Sequence, residues 1–356
     1  MRLLIVNARF LTQNITGVQK FAIEISKQVK KKLKKVIFVS PRNIIHKSLA
    51  EYLDVKIVGR FSGHLWEQLE LPYYLRNLTS KPILLNLANT APLGYKDKVV
   101  TVHDLAFIHN PKWFSKKFYY YYKFLIPKIL TQSIQIFTVS NFSKSELVKI
   151  YKISPDKITV VYNAISHDFL EKKGNLLRNN FNKYILGVSS LEPRKNIKTL
   201  INSFEELAEP NLSLVLVGKE NPEVFSDNNF ERYKSYKEKI HFTGYVSDEE
   251  LVRLYSHAEL FVYPSLYEGF GLPPLEAMAS GCPVLVSNTT SMPEICGDAA
   301  LYFDPNNGKE LSSLILNVLN VNELRKTLIE KGADRVKKFS WSASADAIIN
   351  SIKKIN

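Results

Sequence analysis

The sequence predicts an α/β protein with two successive domains, each a doubly wound parallel sheet covered on both faces by helices. One observation is the length, because 356 residues are more than one hydrophobic core usually organises. Another is that short, continuously apolar runs of strand type alternate with segments of helical period, which is typical of a buried parallel sheet. A polar segment interrupts this alternation, which then starts again and so indicates the second domain.

Residues 1–165 contain enough apolar runs for one complete sheet. Apolar side chains at helical spacing after Gly17 predict a helix, and Ser143 with Glu146 three residues later indicates a capping box at another helix start. The expected strands are 3–6, 36–39, 55–58, 83–87, 99–102, 136–139 and 158–162.

Residues 166–183 are polar and rich in asparagine and lysine, which is typical of a link between domains. A second domain is expected at 184–339, and residues 340–356 predict a closing helix that packs back toward the N-terminal domain. Two such domains bind ligands between the carboxyl ends of their facing sheets. The expected strands of the second domain are 184–188, 212–217, 240–243, 260–263, 284–287 and 301–303.

The net charge of +14 is unevenly distributed. Residues 1–165 contain 26 Lys and Arg against 9 Asp and Glu, a net of +17, whereas residues 166–356 contain 22 against 25, a net of −3. The first domain is therefore expected to meet something anionic. The candidates are a phospholipid surface, a pyrophosphate-linked substrate and nucleic acid.

Several absences argue against other classes. The chain has no apolar run of about 18 residues and no signal-peptide pattern, so no membrane span is expected. Cys282 and Cys296 make no disulfide framework, which favours a reducing cytoplasm. A dehydrogenase, a P-loop NTPase and a dedicated metal site also lose support, because G-x-G-x-x-G after a strand, the P-loop motif, H-E-x-x-H and Asp-x-Asp are missing.

The most informative stretch is residues 261–283. It begins as an apolar strand, turns through Gly-Phe-Gly at 269–271 and enters a short helix at two prolines. The unpaired N–H groups of a helix start bind phosphate, and a carboxylate can accept hydrogen bonds from two adjacent hydroxyls. With Glu268 and Glu276 on either side of the turn, the stretch predicts a site for a phosphate beside a diol.

Other polar residues follow expected strands. Arg194 and Lys195 could hold phosphate oxygens, the arginine as a fork and the lysine as a point charge, or they could form a charged helix cap. His103 could hydrogen-bond a sugar hydroxyl or a leaving oxygen, although a lone histidine is usually structural. Gly17 could let the backbone approach a phosphate, or could simply start a helix.

Two basic stretches of the first domain could contact anionic lipid. The lysines between 27 and 35 end the first helix, and residues 113–129 mix aromatic side chains with lysines. The alternatives are a solvated helix face for the first stretch and a helix core for the second.

Several segments carry motifs in a recognisable order: 65–72 (L-W-E-Q-L-E-L-P), 101–105 (T-V-H-D-L), 139–146 (V-S-N-F-S-K-S-E), 161–165, 189–196 (S-S-L-E-P-R-K-N), 268–276 (E-G-F-G-L-P-P-L-E) and 339–341. Together they resemble glycosyltransferase family 4, whose members are retaining enzymes that use nucleotide sugars. The resemblance covers essentially the whole chain, and the 268–276 motif is its most specific part. It implies the GT-B fold, in which two Rossmann-like domains face across a cleft, with acceptor binding in the first and donor binding in the second.

The resemblance also implies roles for residues of the second domain. Glu276 would hold the ribose hydroxyls, and Glu268 with the backbone of residues 269–272 (Gly269, Phe270, Gly271, Leu272) would hold the donor sugar and phosphate. Lys195 with Arg194 would stabilise the diphosphate leaving group. Many members have an arginine five positions before the lysine, where this chain has Ser190, so whether Arg194 replaces it stays open.

The resemblance implies contacts with the donor or acceptor for four further residues. His103 would contact the donor sugar, and Gly17 would let the first loop approach the acceptor or the β-phosphate. Tyr245 and Val246 would lie near the base.

The chain is thus expected to move a hexosyl or deoxyhexosyl unit, with mannosyl favoured, from a nucleotide diphosphate sugar to a glycan acceptor, with no metal or other cofactor. The basic first domain suggests a lipid-linked acceptor in bacterial surface polysaccharide, lipopolysaccharide or O-antigen assembly. It also suggests a cytoplasmic enzyme that is peripheral on the anionic inner face of the plasma membrane. The alternatives are a nucleotide-sugar 2-epimerase of the same fold and, from charge alone, a nucleic-acid-binding protein.

Overall fold

The computed structural model describes residues 2–166, 169, 181–190, 192–207, 209–218 and 238–355. The chain divides into two compact units, one formed by Met1–Asn163 with Ser340–Asn356 and the other by Ala164–Phe339. Most of the expected linker at 166–183, and Leu191 of the 189–196 motif, lie outside the described residues.

The first unit contains a seven-stranded parallel sheet in the order β3-β2-β1-β4-β5-β6-β7. The strand order reverses between β1 and β4, where Ile5 pairs with Ile37 on one side and with Leu84 on the other. The strands are β1 Leu4–Asn7, β2 Val36–Ser40, β3 Val55–Ile57, β4 Ile83–Asn86, β5 Lys98–Thr101, β6 Gln135–Thr138 and β7 Ile158–Val160.

Helices connect these strands. The segment from α3 to α4 is helical throughout, with a π-helical turn at Trp66–Glu70 between them. The helices are α1 Gly17–Lys32, α2 Lys47–Leu53, α3 Gly63–Leu65, α4 Leu71–Arg76, α5 Ala106–His109, α6 Lys116–Gln132 and α7 Asn141–Tyr151, with short 3-10 turns at Arg9–Thr12, Pro111–Trp113 and Pro155–Lys157.

One expected helix start is wrong by one turn. Ser143 does not cap α7, because Ser140 occupies the cap position and its Oγ accepts the backbone N–H of Ser143 at 3.0 Å. Ser143 lies inside the first turn and its Oγ donates to the carbonyl of His103 at 3.0 Å. Both serines have the right chemistry for a cap, and the tertiary contact with His103 decides between them.

The second unit repeats the architecture with a six-stranded parallel sheet in the order β10-β9-β8-β11-β12-β13. Its strand order reverses between β8 and β11. The strands are β8 Lys183–Val188, β9 Leu212–Val217, β10 Ile240–Gly244, β11 Leu260–Tyr263, β12 Val284–Ser287 and β13 Leu301–Phe303. The described helices are α8 Ile197–Glu206, α9 Asp248–His257, α10 Leu272–Ala279, α11 Met292–Cys296, α12 Gly308–Asn320 and α13 Asn322–Val336, with 3-10 turns at Pro193–Lys195 and Gly297–Ala299.

The predicted fold class of two doubly wound parallel-sheet units is confirmed. Every expected strand is present, with ends that differ by at most two residues. The central strands are buried on both faces, which is why they appear in the sequence as continuous apolar runs, whereas the edge strand β3 is largely exposed. None of the helices in the described parts of the chain has the length and apolar composition needed to cross a lipid bilayer.

The last helix, α14 Trp341–Lys354, belongs to the first unit although it follows the second in sequence. Trp341 is buried and its ring lies 5.9 Å from that of Phe21 on α1. Ser344 Oγ donates to the carbonyl of Tyr162 at 2.6 Å, and Lys32 pairs with Asp346. The first unit is therefore completed by the C-terminal residues of the chain.

We expect Trp341→Ala to lower the free energy of unfolding by about 3–5 kcal/mol, because it opens a cavity against α1. Trp341→Phe is the control and should lose much less, because it keeps an aromatic ring and removes an indole N–H that is buried without a partner among the described residues. Urea unfolding followed by circular dichroism measures both variants. Equal losses in the two would show that ring packing is not what attaches α14.

Candidate active site

The strand ends of the second unit place two loops side by side. β8 pairs with β11 in parallel, and the strand order reverses between them. The turn Pro193–Lys195 follows β8, and the loop that contains Glu268 follows β11. In doubly wound sheets the crevice at such a reversal is where ligands bind.

A buried ion pair joins these two loops. Lys195 Nζ donates to Glu268 Oε1 at 2.5 Å, and the hydroxyls of Tyr263 and Ser265 donate to the same oxygen at 2.8 and 2.6 Å. Lys195 Nζ also donates to Tyr263 Oη at 3.0 Å. Both members of the pair are 8% exposed. The sequence predicted each residue as a phosphate or sugar contact, but did not predict that they bind each other.

The charges of this cluster stabilise the ionised carboxylate. Burial by itself raises the pKa of Glu268, but the positive charges of Lys195 and Arg194, with hydrogen bonds from Lys195 and Ser265, outweigh it and lower the pKa from 4.5 to about 2. Burial lowers the pKa of Lys195 even though Glu268 acts in the opposite direction. Burial and the Glu268 charge raise the pKa of Tyr263, so its hydroxyl keeps its proton and donates.

Arg194 lies on the other side of the same carboxylate. Its Nη1 is 3.5 Å from Glu268 Oε2, and its Nε donates to Glu192 Oε2 at 2.8 Å. Its carbonyl accepts the backbone N–H of Leu266 at 2.8 Å, which fixes the turn to the loop. Glu268 therefore lies between two cations, one bound tightly to Oε1 and one loosely to Oε2.

Packing fixes the glycine turn before α10. Gly271 has a φ of +99°, and a Cβ at this position would lie 2.3 Å from Cε of Met292. Ser291 Oγ donates to the carbonyls of Glu268 and Phe270 at 3.0 and 2.9 Å. Leu272 begins the helix, one residue before the start expected at the two prolines. The carbonyls of Glu268 and Phe270 are thus held by Ser291.

Glu276 lies on α10 and is buried. The hydroxyl of Tyr255 is 3.4 Å from its Oε2, and burial together with the Glu276 charge raises the pKa of Tyr255. Tyr245 and Val246 follow β10 at the edge of the sheet, where Tyr245 is largely exposed and Val246 is half-buried. No contact in the structure tests the ribose and base contacts that the resemblance implies for these residues, so they stay predictions.

His103 lies in the first unit, after β5, and is buried. Its Nε2 is 2.9 Å from the carbonyl of Leu87, which can only accept, so Nε2 carries the proton. Asn89 Oδ1 accepts the backbone N–H of His103 at 2.8 Å, and the Phe21 ring packs edge-on against it. Burial lowers the pKa of His103, so the ring is neutral and Nδ1 is its acceptor.

Gly17 is the first residue of α1 and is exposed. A Cβ here would have no atom within 4 Å, so no packing within the described chain requires a glycine at this position. The backbone N–H of Thr16 donates to the side chain of Gln19 at 3.2 Å, which closes the helix start.

Some polar residues near the predicted ones carried no motif that identifies them. Ser291 and Thr290, whose Oγ1 accepts the N–H of Glu268, come from a different loop. Tyr263 and Ser265 lie within residues 261–283. The polar hydroxyl of Tyr263 at the end of an apolar strand is the one feature of the sequence that could have indicated its contact with Glu268. Within the described ranges no cluster of three or more His, Cys, Asp or Glu could hold a metal ion.

Two doubly wound units in succession are the architecture of GT-B glycosyltransferases, and known proteins point to the same class. Residues 15–169 match the family described as Glycosyltransferase Family 4, and residues 168–335 match Glycosyl transferases group 1. Among solved structures, Anabaena Alr3699/HepE in complex with UDP and glucose has a TM-score of 0.75 at 17% identity, covering 99% of each chain. That identity supports the fold alone.

Curated relatives are more similar in sequence. O-antigen chain mannosyltransferase B of Escherichia coli is 34% identical over 265 residues, which cover 72% of this chain and 70% of the relative. O-antigen chain mannosyltransferase RfbU of Salmonella typhimurium is 33% identical over 240 residues, which cover 67% and 65%. The chain therefore belongs to glycosyltransferase family 4, and it is a glycosyltransferase.

We expect Glu268→Gln to lower the free energy of unfolding at pH 7 by about 3 kcal/mol. The folded protein lowers the pKa of this carboxyl from 4.5 to about 2, and each pKa unit corresponds to about 1.4 kcal/mol. The folded pKa of about 2 lies below the ordinary 4.5, so the stabilisation is complete above pH 4.5 and disappears as the pH falls through 2. Urea unfolding of both proteins at pH 7, 5 and 3 should show a difference that narrows with acid.

The matched control is Glu192→Gln, which removes a carboxylate whose side chain is 45% exposed in its pair with Arg194. It should change stability by less than about 1 kcal/mol. A difference between wild type and Glu268→Gln that stays constant from pH 7 to 3 would contradict the assignment of the low pKa to Glu268.

Proposed function

We propose that the protein transfers a mannosyl unit from a nucleotide diphosphate sugar to a glycan acceptor in the assembly of bacterial O-antigen or a related surface polysaccharide. The observation that carries the proposal is the Lys195–Glu268 pair beside the loop that leads into α10. The pair supports the proposal because it fixes Lys195, with Arg194 beside it, at strand ends where a departing diphosphate could be stabilised. The mannosyl unit and the O-antigen are those of the two relatives, both O-antigen mannosyltransferases and each about one-third identical to this chain.

The second unit supplies the donor contacts. Lys195, Arg194 and the N–H groups at residues 269–272 meet the diphosphate, whose negative charge grows as its bond to the sugar breaks. Because these groups are already in place, they stabilise that charge with little rearrangement. No metal or other cofactor is needed at the diphosphate, so activity should persist in EDTA.

The carboxylates bind hydroxyls. Oε1 of Glu268 already accepts three hydrogen bonds, so Oε2 is the atom that accepts one from the donor sugar. Glu276 accepts from the ribose, and the neutral Nδ1 of His103 can accept from a sugar hydroxyl. The acceptor hydroxyl attacks the face that the nucleotide leaves, its proton passes to the departing diphosphate, and the anomeric configuration is retained.

The donor is tested by a thermal-shift screen of GDP-mannose, UDP-glucose, UDP-galactose, UDP-N-acetylglucosamine and dTDP-rhamnose. GDP-mannose should stabilise the wild type, by about 2.7 kcal/mol at a hundredfold excess over Kd. Glu276→Gln should lose most of this stabilisation, because one carboxylate oxygen that accepts from the ribose is replaced by a donor.

The control variant is Glu249→Gln, an exposed acid in the first turn of α9. It should respond to GDP-mannose as the wild type does. If Glu276→Gln is stabilised equally, the ribose assignment is wrong. If labelled GDP-mannose is converted without any acceptor into an epimeric nucleotide sugar, the protein is an epimerase instead.

We also propose that the first unit contacts an anionic phospholipid surface. The segment from α3 to α4 exposes Leu65, Leu69 and Tyr73, four residues apart on one face, and α6 exposes Tyr120 and Phe124 in the same spacing. All five side chains are more than half exposed. These five side chains form two apolar rows on the first unit.

Charge complementarity supports a membrane as the occupant of the apolar rows. The two helical segments are neighbours, because the His64 ring lies 4.8 Å from that of Tyr121 on α6. Lysines 116, 117, 123 and 128 on α6 add positive charge beside the exposed rings. The lysines at the end of α1 fit this role less well, because Lys27 and Lys32 are paired with Glu24 and Asp346.

Co-sedimentation with vesicles tests this surface. Binding of the wild type should rise with phosphatidylglycerol content and fall with salt. Leu69→Ser combined with Phe124→Ser should weaken binding roughly tenfold, since partial burial of two such side chains contributes about 1.5 kcal/mol or more. Val321→Ser, at an exposed apolar residue of the second unit, should bind like the wild type. Binding that ignores lipid charge would contradict the proposal.

A further inference from the structure

We propose that Arg9, held by Glu67 at the strand ends of the first unit, binds a hydroxyl group of the glycan acceptor. The inference rests on the proposed transferase function, because it assigns part of the acceptor site. The residues involved all belong to the first unit, and although Glu67 lies in the 65–72 motif, the family resemblance implies no role for it or for Arg9.

The cluster lies where the strand order of the first sheet reverses. β1 and β4 are the strands on either side of the reversal, and they end at Asn7 and Asn86. Asn7 Nδ2 donates to Asn86 Oδ1 at 3.0 Å, across the reversal. Arg9 opens the turn that follows β1. This is the position in a doubly wound sheet at which a crevice forms and ligands bind.

Glu67 fixes the arginine. It is 1% exposed, and its Oε1 accepts Asn7 Nδ2 at 2.9 Å and Arg9 Nε at 3.3 Å. Its Oε2 accepts the hydroxyl of Thr90 at 2.8 Å, and His64 Nδ1 lies 3.4 Å away. Burial raises the pKa of Glu67, but the Arg9 charge, the hydrogen bond and charge of His64, and the hydrogen bond from Thr90 lower it to about 2. The carboxylate is therefore ionised and its acceptor capacity is occupied.

Arg9 keeps donors to spare. It is 7% exposed, and besides Nε it uses Nη2, which donates to Thr90 Oγ1 at 2.9 Å. Among the described residues none accepts from Nη1. A guanidinium has five N–H groups, and Nη1 is not among the buried side-chain atoms that lack a partner, so it stays accessible to a ligand. An oxygen from outside the chain would complete its hydrogen bonding.

A small cavity adjoins these donors, with room for about one water molecule. That volume suits a single hydroxyl group, whereas a phosphate is too large for it. The charge of Arg9 is also balanced by Glu67, so the cluster favours a neutral polyol over an anion. The cavity is lined by Asn7, Arg9, Phe10, Gln13, Glu67, Leu87 and Ala88.

The local backbone distinguishes Glu67 from its neighbours. Glu67 lies in the π-helical turn Trp66–Glu70, a geometry that is rare and frequent at functional sites. In the same turn, Glu70 accepts the backbone N–H groups of Arg60 and Phe61, and Gln68 accepts that of Leu93. Those two side chains hold loops in place, whereas the described partners of Glu67 are side chains, and two of them, Asn7 and Arg9, line the cavity. A buried ion pair with no ligand role could be replaced by apolar residues without loss of stability.

The test uses Arg9→Lys, and Arg9→Met combined with Glu67→Met, which leaves no unpaired buried charge. The acceptor probes are methyl α-mannoside and α-mannobiose, with GDP-mannose as donor. In both variants the KM for the sugar acceptor should rise at least tenfold, while the thermal shift with GDP-mannose stays unchanged. Saturation-transfer NMR should show the mannosides in contact with the wild type and not with the double variant. Glu323→Met with Lys326→Met, an exposed pair on α13, is the control.

The outcomes separate the two proposals. If GDP-mannose fails to bind the wild type, the proposed function is wrong. If GDP-mannose binds but neither mannoside contacts the wild type, the acceptor subsite is wrong and the donor site stands. If the variants lose kcat or donor binding with no change in acceptor KM, the pair is structural and the inference is overturned.

Discussion

The contact between Lys195 and Glu268 constrains everything around it at the strand ends of the second unit. Two ions removed from water are stable only when they lie close together and their remaining hydrogen-bonding groups are satisfied. The pairing of β8 with β11 brings the two ions together, and the hydroxyls of Tyr263 and Ser265 satisfy the same carboxylate oxygen. The glycine turn and α10 follow directly from a loop that is fixed in this way, so the ion pair organises the site before any ligand arrives.

Each sheet has a pair of oppositely charged side chains, one acidic and one basic, near the place where its strand order reverses. In the second unit the acid and base follow the two strands, and two cations, Lys195 and Arg194, lie beside the buried carboxylate, while Arg194 also pairs with the exposed Glu192. In the first unit Arg9 follows β1, while Glu67 comes from the helical segment before β4, and the charges balance. The same topological position is therefore used for different chemistry, because the number of cations around the buried carboxylate differs.

The sequence predicts the strands well because the central strands of each sheet are buried on both faces, and a parallel strand buried in this way is a continuous apolar run. It predicts the cap of α7 poorly, since Ser140 and Ser143 lie one turn apart and only the contact with His103 selects between them. The Lys195–Glu268 contact joins residues far apart in the chain, and no local pattern specifies such a partner. The sequence does not predict the role of Arg9, because a single arginine after a strand is usually a surface cation. It is buried here because it pairs with Glu67, which is distant in the sequence.

The close approach of Gly271 to Met292 adds a steric coupling to two segments that Thr290 and Ser291 already join by hydrogen bonds. With a φ of +99° and Met292 in the space that a side chain would need, position 271 accepts only glycine as long as position 292 remains large. Substituting a smaller residue at 292 would remove the clash but not the backbone strain, so the turn would stay restricted. A smaller side chain at position 292 is therefore compatible with the present loop. A side chain at position 271 is not, unless the backbone of the loop and the residue at position 292 both change.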